Sequence, residues 1–281
     1  MRALLLPLAL LFSATAAHAA PKPPENPDGY RVMLVGNSLT YANNLPALLR
    51  AVGAAEGKAI STETFAAPGG TLSERVADGA VTQALQERSF DAVVLQEQGG
   101  HLAACMSSPS AQHKAPCAAS RKAYAALAEQ AKARGARVLL MATWGPDERW
   151  DARVARSVAM HAKATGSETF HAARALHALR TAMPGVQLIP DGIHPSTHGA
   201  LILALALYRE LTGQAATAHE LRINAPLLPV NAAVSPSTPL ESQPALAGDG
   251  RTTVVPVELM APLVEALAKP SGEVLPPRRG R

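Results

Sequence analysis

Short, nearly continuous apolar runs alternate along the chain with stretches in which apolar residues return every three to four positions. Residues 31–35, 60–65, 92–95 and 137–142 read as strands, and 169–172 as a weaker fifth. The helical spacing falls between and after them, over 45–55, 72–87, 120–134, 152–164, 174–183 and 198–211. Strands apolar on both faces, each followed by a helix, predict an α/β domain with about five parallel strands and helices on both sides of the sheet.

Local signals agree with these joints. Asn44 stands where it can cap the helix opened by Leu45 and Pro46, and Thr71 with Glu74 forms a capping-box pattern. The pattern changes near the end of the chain: no aromatic residue follows Tyr208, and proline becomes dense. Residues 223–281 therefore read as a Pro-rich extension, loosely attached by its composition, with one short helical stretch over 257–268 despite Pro262 for which docking on the domain is the alternative.

Composition narrows the classes. The chain has 281 residues, 48% hydrophobic and 17% charged, enough apolar material for a sizeable core and too little charge for disorder throughout. A net charge of +4 without a dense Lys/Arg stripe excludes nucleic acid as a partner, since the only terminal cluster is Arg278, Arg279 and Arg281 on a proline-flanked end. Arg2, an apolar run over 3–12 and the small residues ending at Ala17-His18-Ala19 have the layout of a cleavable secretory signal over 1–19, followed by a short linker over 20–29. The apolar run falls short of the ~20 residues a bilayer span needs, so the expectation is export to the periplasm or the exterior with no stable membrane span after cleavage. In that compartment Cys105 and Cys117, the only two cysteines, are expected to form one disulfide stapling a Ser/Pro-rich stretch; two unpaired thiols are the alternative.

The first strand runs into Gly36-Asn37-Ser38-Leu39, which puts Ser38 at the carboxyl end of a strand, where open α/β sheets build their sites. Far downstream, Asp191-Gly192-Ile193-His194 places an acid three residues ahead of an imidazole. On a tight turn Asp191 can accept from one ring nitrogen of His194, leaving the other to deprotonate a hydroxyl, and Ser38 offers one. His198, four residues after His194, raises a metal reading, but Pro195 interrupts the helix that would align the two, and no third ligand cluster appears. No metal and no cofactor are expected.

Gly36-Asn37-Ser38-Leu39 near the start and Asp191-x-x-His194 near the end of the domain resemble the GDSL/SGNH hydrolase superfamily, over about residues 31–212, with Asn37 in place of the namesake aspartate. The resemblance implies a flavodoxin-like three-layer sandwich, a hydrolase domain over 30–222, and an esterase, lipase, thioesterase or carbohydrate deacylase. Ser38 would be the nucleophile, His194 the base and Asp191 its orienter. The oxyanion donors would be the Ser38 amide, Gly70 in Ala67-Pro68-Gly69-Gly70-Thr71 with Gly69 as the alternative, and a third side chain. The family supplies that third donor from an asparagine, which this chain lacks. Gln96 and Gln98 point to one side of the extended third strand, and Gln98 is preferred as nearer its end; Glu97, on the other side, reads as a structural or solvent-facing carboxylate. Trp144 and Trp150, after the fourth strand, are candidates for the wall of an acyl or sugar pocket, or for packing. The partner is then a small-molecule or glycan ester, and nothing in the sequence selects an oligomeric state. The missing asparagine and the long tail keep a second reading open, a noncatalytic exported glycan- or ligand-binding module on the same scaffold.

Overall fold

A computed structural model describes residues 29–248 and 250–268. The leader expected over 1–19, all of the linker except Gly29, and the terminal arginines lie outside the described residues. Five strands, β1 (Tyr30–Asn37), β2 (Ile60–Ala67), β3 (Ala92–Gln96), β4 (Arg137–Ala142) and β5 (Glu168–His171), form one parallel sheet in the order β2-β1-β3-β4-β5. The helices of this region are α1 (Ser38–Tyr41), α2 (Leu45–Ala55), α3 (Leu72–Ala77), α4 (Ala80–Glu87), α5 (Gly99–Cys105), α6 (Ala115–Ala133), α7 (Glu148–Thr165), α8 (Ala172–Ala182) and α9 (Thr197–Thr212). Beyond them come β6 (Leu221–Ile223), α10 (Pro244–Ala247), β7 (Thr253–Val255) and α11 (Val257–Ala268).

Side chains alternate across the central strands and divide the interior in two. Val32, Leu34, Val94 and Met141 face one core with α2, α8 and α9; Met33, Val35, Val93, Leu95 and Leu140 face the other with α4, α6 and α7. This is the expected three-layer sandwich. Its strand order reverses between β1 and β3, and in such sheets the crevice outside the carboxyl ends of those two strands is the place for a ligand.

The structure departs from the sequence pattern at several joints. The helix expected over 72–87 is two helices, because Gly79 adopts φ +78° and breaks the ladder after Asp78. Helix α5 opens on the paired Gly99 and Gly100, where no helix was expected, and α6 begins at Ala115, ahead of the predicted start. Cys105, at the end of α5, is bonded to Cys117 in the first turn of α6, with Cα atoms 5.7 Å apart.

The Pro-rich segment is not loose over its described part. Met260, Leu263 and Ala266 of α11 are buried in the α8/α9 core, while Leu228, Val234, Leu240 and Leu246 pack with Tyr41 and Ala66 in a third cluster. β6 and β7 pair antiparallel, and Glu241 accepts from the Thr64 amide at 2.8 Å and from the hydroxyls of Thr62 and Thr64, which satisfies a stretch of the outer strand β2. Aliphatic anchors spaced through a proline-rich stretch replace the aromatics the tail lacks. Among the described residues no helix is long and apolar enough to cross a membrane.

Candidate active site

Ser38 follows the last residue of β1 and opens α1. Asn37 makes the corner: its side-chain oxygen caps α1 by accepting from the Leu39 amide at 3.1 Å, and its Nδ2 donates to the Gly70 carbonyl at 3.0 Å. The corner is held from β3 as well. Gln96 Oε1 accepts from the Asn37 amide and from Thr40 Oγ1, both at 2.9 Å, and lies so close to Gly36 that a Cβ there would approach it to 2.5 Å. Gln96 is buried, and its Nε2 donates to the Glu97 carbonyl at 2.8 Å. It fixes the strand end from behind and does not line the cleft.

The Asp191 turn brings the other half of the site to Ser38. Gly192 takes φ +81°, and Asp191 Oδ1 accepts from the amides of Ile193 at 2.9 Å and His194 at 2.7 Å, folding the chain back so that Asp191 Oδ2 lies 2.7 Å from His194 Nδ1. His194 Nε2 lies 2.8 Å from Ser38 Oγ. The amide and then the ring nitrogen of His194 hold the Asp191 carboxyl down at about 2, and with its side chain 48% exposed there is little desolvation to oppose its ionisation. Ser38, by contrast, is only 9% exposed.

The loop carrying His194 is tied down on both sides. Trp144 Nε1 donates to the Ile193 carbonyl at 2.9 Å. Asn43 reaches across from the α1 side, with Nδ2 donating to the Pro195 carbonyl at 2.7 Å and Oδ1 accepting from Thr197 Oγ1 at 3.1 Å. Asn43 and Asn44 both have positive φ, 53° and 56°, a region asparagine tolerates better than most residues. Asn44 caps α2 as its position predicts, whereas the role of Asn43 was not foreseen; the adjacent Asn-Asn pair was the signal that a left-handed corner stood there.

Of the two glycines, the structure puts Gly69 and not Gly70 at the cleft. The Gly70 amide is spent on the Ala67 carbonyl at 3.1 Å and Gly70 is buried, whereas Gly69 lines the opening and its amide makes no hydrogen bond among the described residues. Gln98 also lines the cleft. Its Nε2 donates to the Gly69 carbonyl at 3.2 Å, which leaves the second amide hydrogen of the side chain for another acceptor.

The cleft has a volume of about 530 Å³. Besides Ser38, His194, Gly69 and Gln98, its walls include Trp144, Trp150, Pro68, Pro146, Ile193 and Val230, and among the described residues no Lys, Arg, Asp or Glu lines it. The Trp150 ring lies so close to Gly99 that a Cβ there would come within 2.6 Å of it, so the glycine admits the indole. Val230 belongs to the Pro-rich segment and is held in place by Tyr41, whose hydroxyl donates to its carbonyl at 2.7 Å. Glu97 is neither surface-facing nor paired with an arginine: it is wholly buried, and desolvation raises its pKa.

No family model matches the chain, and no curated protein sequence matches it. Solved structures do. A DUF4886 family protein from Bacteroides uniformis aligns over 66% of this chain and 83% of its own, at 16% identity and a TM-score of 0.51. Axe2, an acetylxylan esterase from Geobacillus stearothermophilus, aligns over 68% of this chain and 98% of its own, at 17% identity and a TM-score of 0.50. The chain shares their fold.

Proposed function

We propose that the protein is an exported serine hydrolase that cleaves an uncharged ester through an acyl-enzyme on Ser38. The observation that carries this reading is the unbroken chain from Asp191 Oδ2 to His194 Nδ1 at 2.7 Å and from His194 Nε2 to Ser38 Oγ at 2.8 Å. His194 takes the Ser38 proton as Oγ attacks the ester carbonyl, and Asp191 stabilises the imidazolium that results. The proton then passes to the departing alcohol, leaving the acyl group on Ser38. Water, deprotonated by His194, attacks the acyl-enzyme, and collapse of that second intermediate frees the acid and returns the proton to Ser38. The negative charge on each tetrahedral oxygen falls to the Ser38 and Gly69 amides and the free Gln98 N–H. Gly69 takes this role in place of Gly70, because the Gly70 amide already has a partner.

The lining supports an uncharged substrate, since among the described residues no Lys or Arg lines the cleft to balance the charge of a phosphate or carboxylate. The half-buried Trp150 provides ring surface against which a sugar or an acyl chain can lie, while Trp144, only 6% exposed, backs the wall from the core. An acetylated glycan is the first substrate to test, as one protein of the same fold is an acetylxylan esterase. Export rests on the amino-terminal sequence pattern.

An activated serine-reactive phosphonate should label Ser38, and Ser38→Ala should abolish both labelling and the turnover of short esters. Absence of labelling, together with no ester turnover by the parent, would favour the noncatalytic binding module, and turnover surviving in Ser38→Ala would take Ser38 out of the chemistry.

A further inference from the structure

Glu97 takes no part in the chemistry above, yet it is fully buried beside Gln98, with its carboxylate met by two backbone amides and one hydroxyl. Its Oε1 accepts from the Gln98 amide at 2.7 Å and from the Leu72 amide at 3.3 Å, and its Oε2 accepts from the Ser120 hydroxyl at 2.9 Å. All three partners donate, so the ionised carboxylate is the form that satisfies them, in opposition to the burial that pushes its pKa up. A buried carboxylate is expensive unless such donors surround it, and an apolar residue would fill the space without that penalty.

The two amides it joins belong to the two segments that carry the candidate oxyanion donors. Leu72 is the first residue of α3, directly after the Gly69-Gly70-Thr71 turn; Gln98 is the residue after Glu97 itself. The Gln98 side chain closes the circle on the Gly69 carbonyl at 3.2 Å. One buried acceptor thus pins both segments from inside, and Ser120 anchors that acceptor to α6.

We propose that Glu97 is a positioning residue that fixes the separation of the Gly69 turn and Gln98 so that their N–H groups converge on one oxyanion. This inference rests on the serine-hydrolase reading of the site.

Two substitutions separate reach from charge. Glu97→Gln keeps the length and an acceptor oxygen for both amides; Glu97→Asp keeps the charge but withdraws it by one methylene. Misplacement of reacting groups by about 1 Å can cost about 10²-fold, so Glu97→Asp should lower kcat on p-nitrophenyl acetate roughly ten- to hundredfold with KM within about twofold. Glu97→Gln should stay within about threefold of the parent, and in a Gln98→Ala background Glu97→Asp should cost less than about threefold, because only the Gly69 half of its route then remains. Rates are taken per phosphonate-titrated site and set beside the Tm. Full activity of Glu97→Asp, a Glu97→Gln defect larger than that of Glu97→Asp, an undiminished effect in the Gln98→Ala background, or a lowered Tm with normal kcat would each overturn the proposal. Should Glu97→Asp fail to fold, Ser120→Ala removes the α6 anchor of the same carboxylate; it should lower kcat about threefold at constant KM, and a normal kcat would count against the proposal. Ester turnover surviving in Ser38→Ala would instead remove the serine-hydrolase reading itself.

Discussion

At the scale of single residues, Asp191 has two tasks that one substitution can separate. Its Oδ1 holds the turn through two backbone amides, and its Oδ2 receives the His194 ring. In Asp191→Asn the amide oxygen can still hold the turn, but an NH2 then faces His194 Nδ1 and favours the tautomer whose Nε2 carries the proton. Such a ring cannot accept from Ser38, so kcat should fall by about 10²- to 10⁴-fold with the Tm nearly unchanged. Activity close to the parent would take Asp191 out of the mechanism. Ser38, Asp191 and His194 were legible because each sits in a short motif whose geometry is local. The choice between Gly69 and Gly70 was not, because it depends on which amide the Ala67 carbonyl claims once the turn has formed. Glu97, read as structural or solvent-facing from its side of the strand, is buried, and its partners Leu72 and Ser120 were not legible because they lie 25 and 23 residues away in sequence.

Among the elements, the five strands and most helices follow from apolar periodicity, and the capping box at Thr71 and Glu74 forms as its spacing indicates. Periodicity failed where glycine decides. Gly79 splits a stretch whose apolar spacing runs on without a break, and Gly99-Gly100 opens a helix whose stability comes from packing rather than propensity. The Cys105–Cys117 bond joins that helix to α6 across a separation of 12 residues, so it should matter to stability more than to chemistry. Replacing both cysteines by serine should lower unfolding free energy by roughly 2–4 kcal/mol, measured by denaturant titration, with kcat within about twofold. A loss of turnover without a loss of stability would place α5 in the chemistry directly.

Across the whole molecule, the tail is part of the folded body as far as Ala268. Composition pointed the other way because it registers proline and the absence of aromatics, while the docking is done by a few aliphatic side chains and by Glu241 on β2. Met260 is fully buried between α11 and the core it joins, so Met260→Ala should cost about 2–5 kcal/mol by the same titration. A cost under about 0.5 kcal/mol, the size expected at an exposed site, would mean that α11 does not dock. Because Val230 lines the cleft, this segment also supplies part of the wall a substrate meets.

The central claim is that Ser38 carries the acyl group between two chemical steps. Acid quenching during turnover of p-nitrophenyl acetate, followed by proteolysis and mass spectrometry, tests it directly. The account predicts an acetyl adduct on Ser38 that is absent in Ser38→Ala and decays on incubation at neutral pH. Turnover at the parental rate with no adduct, or with the adduct on another residue, would contradict it.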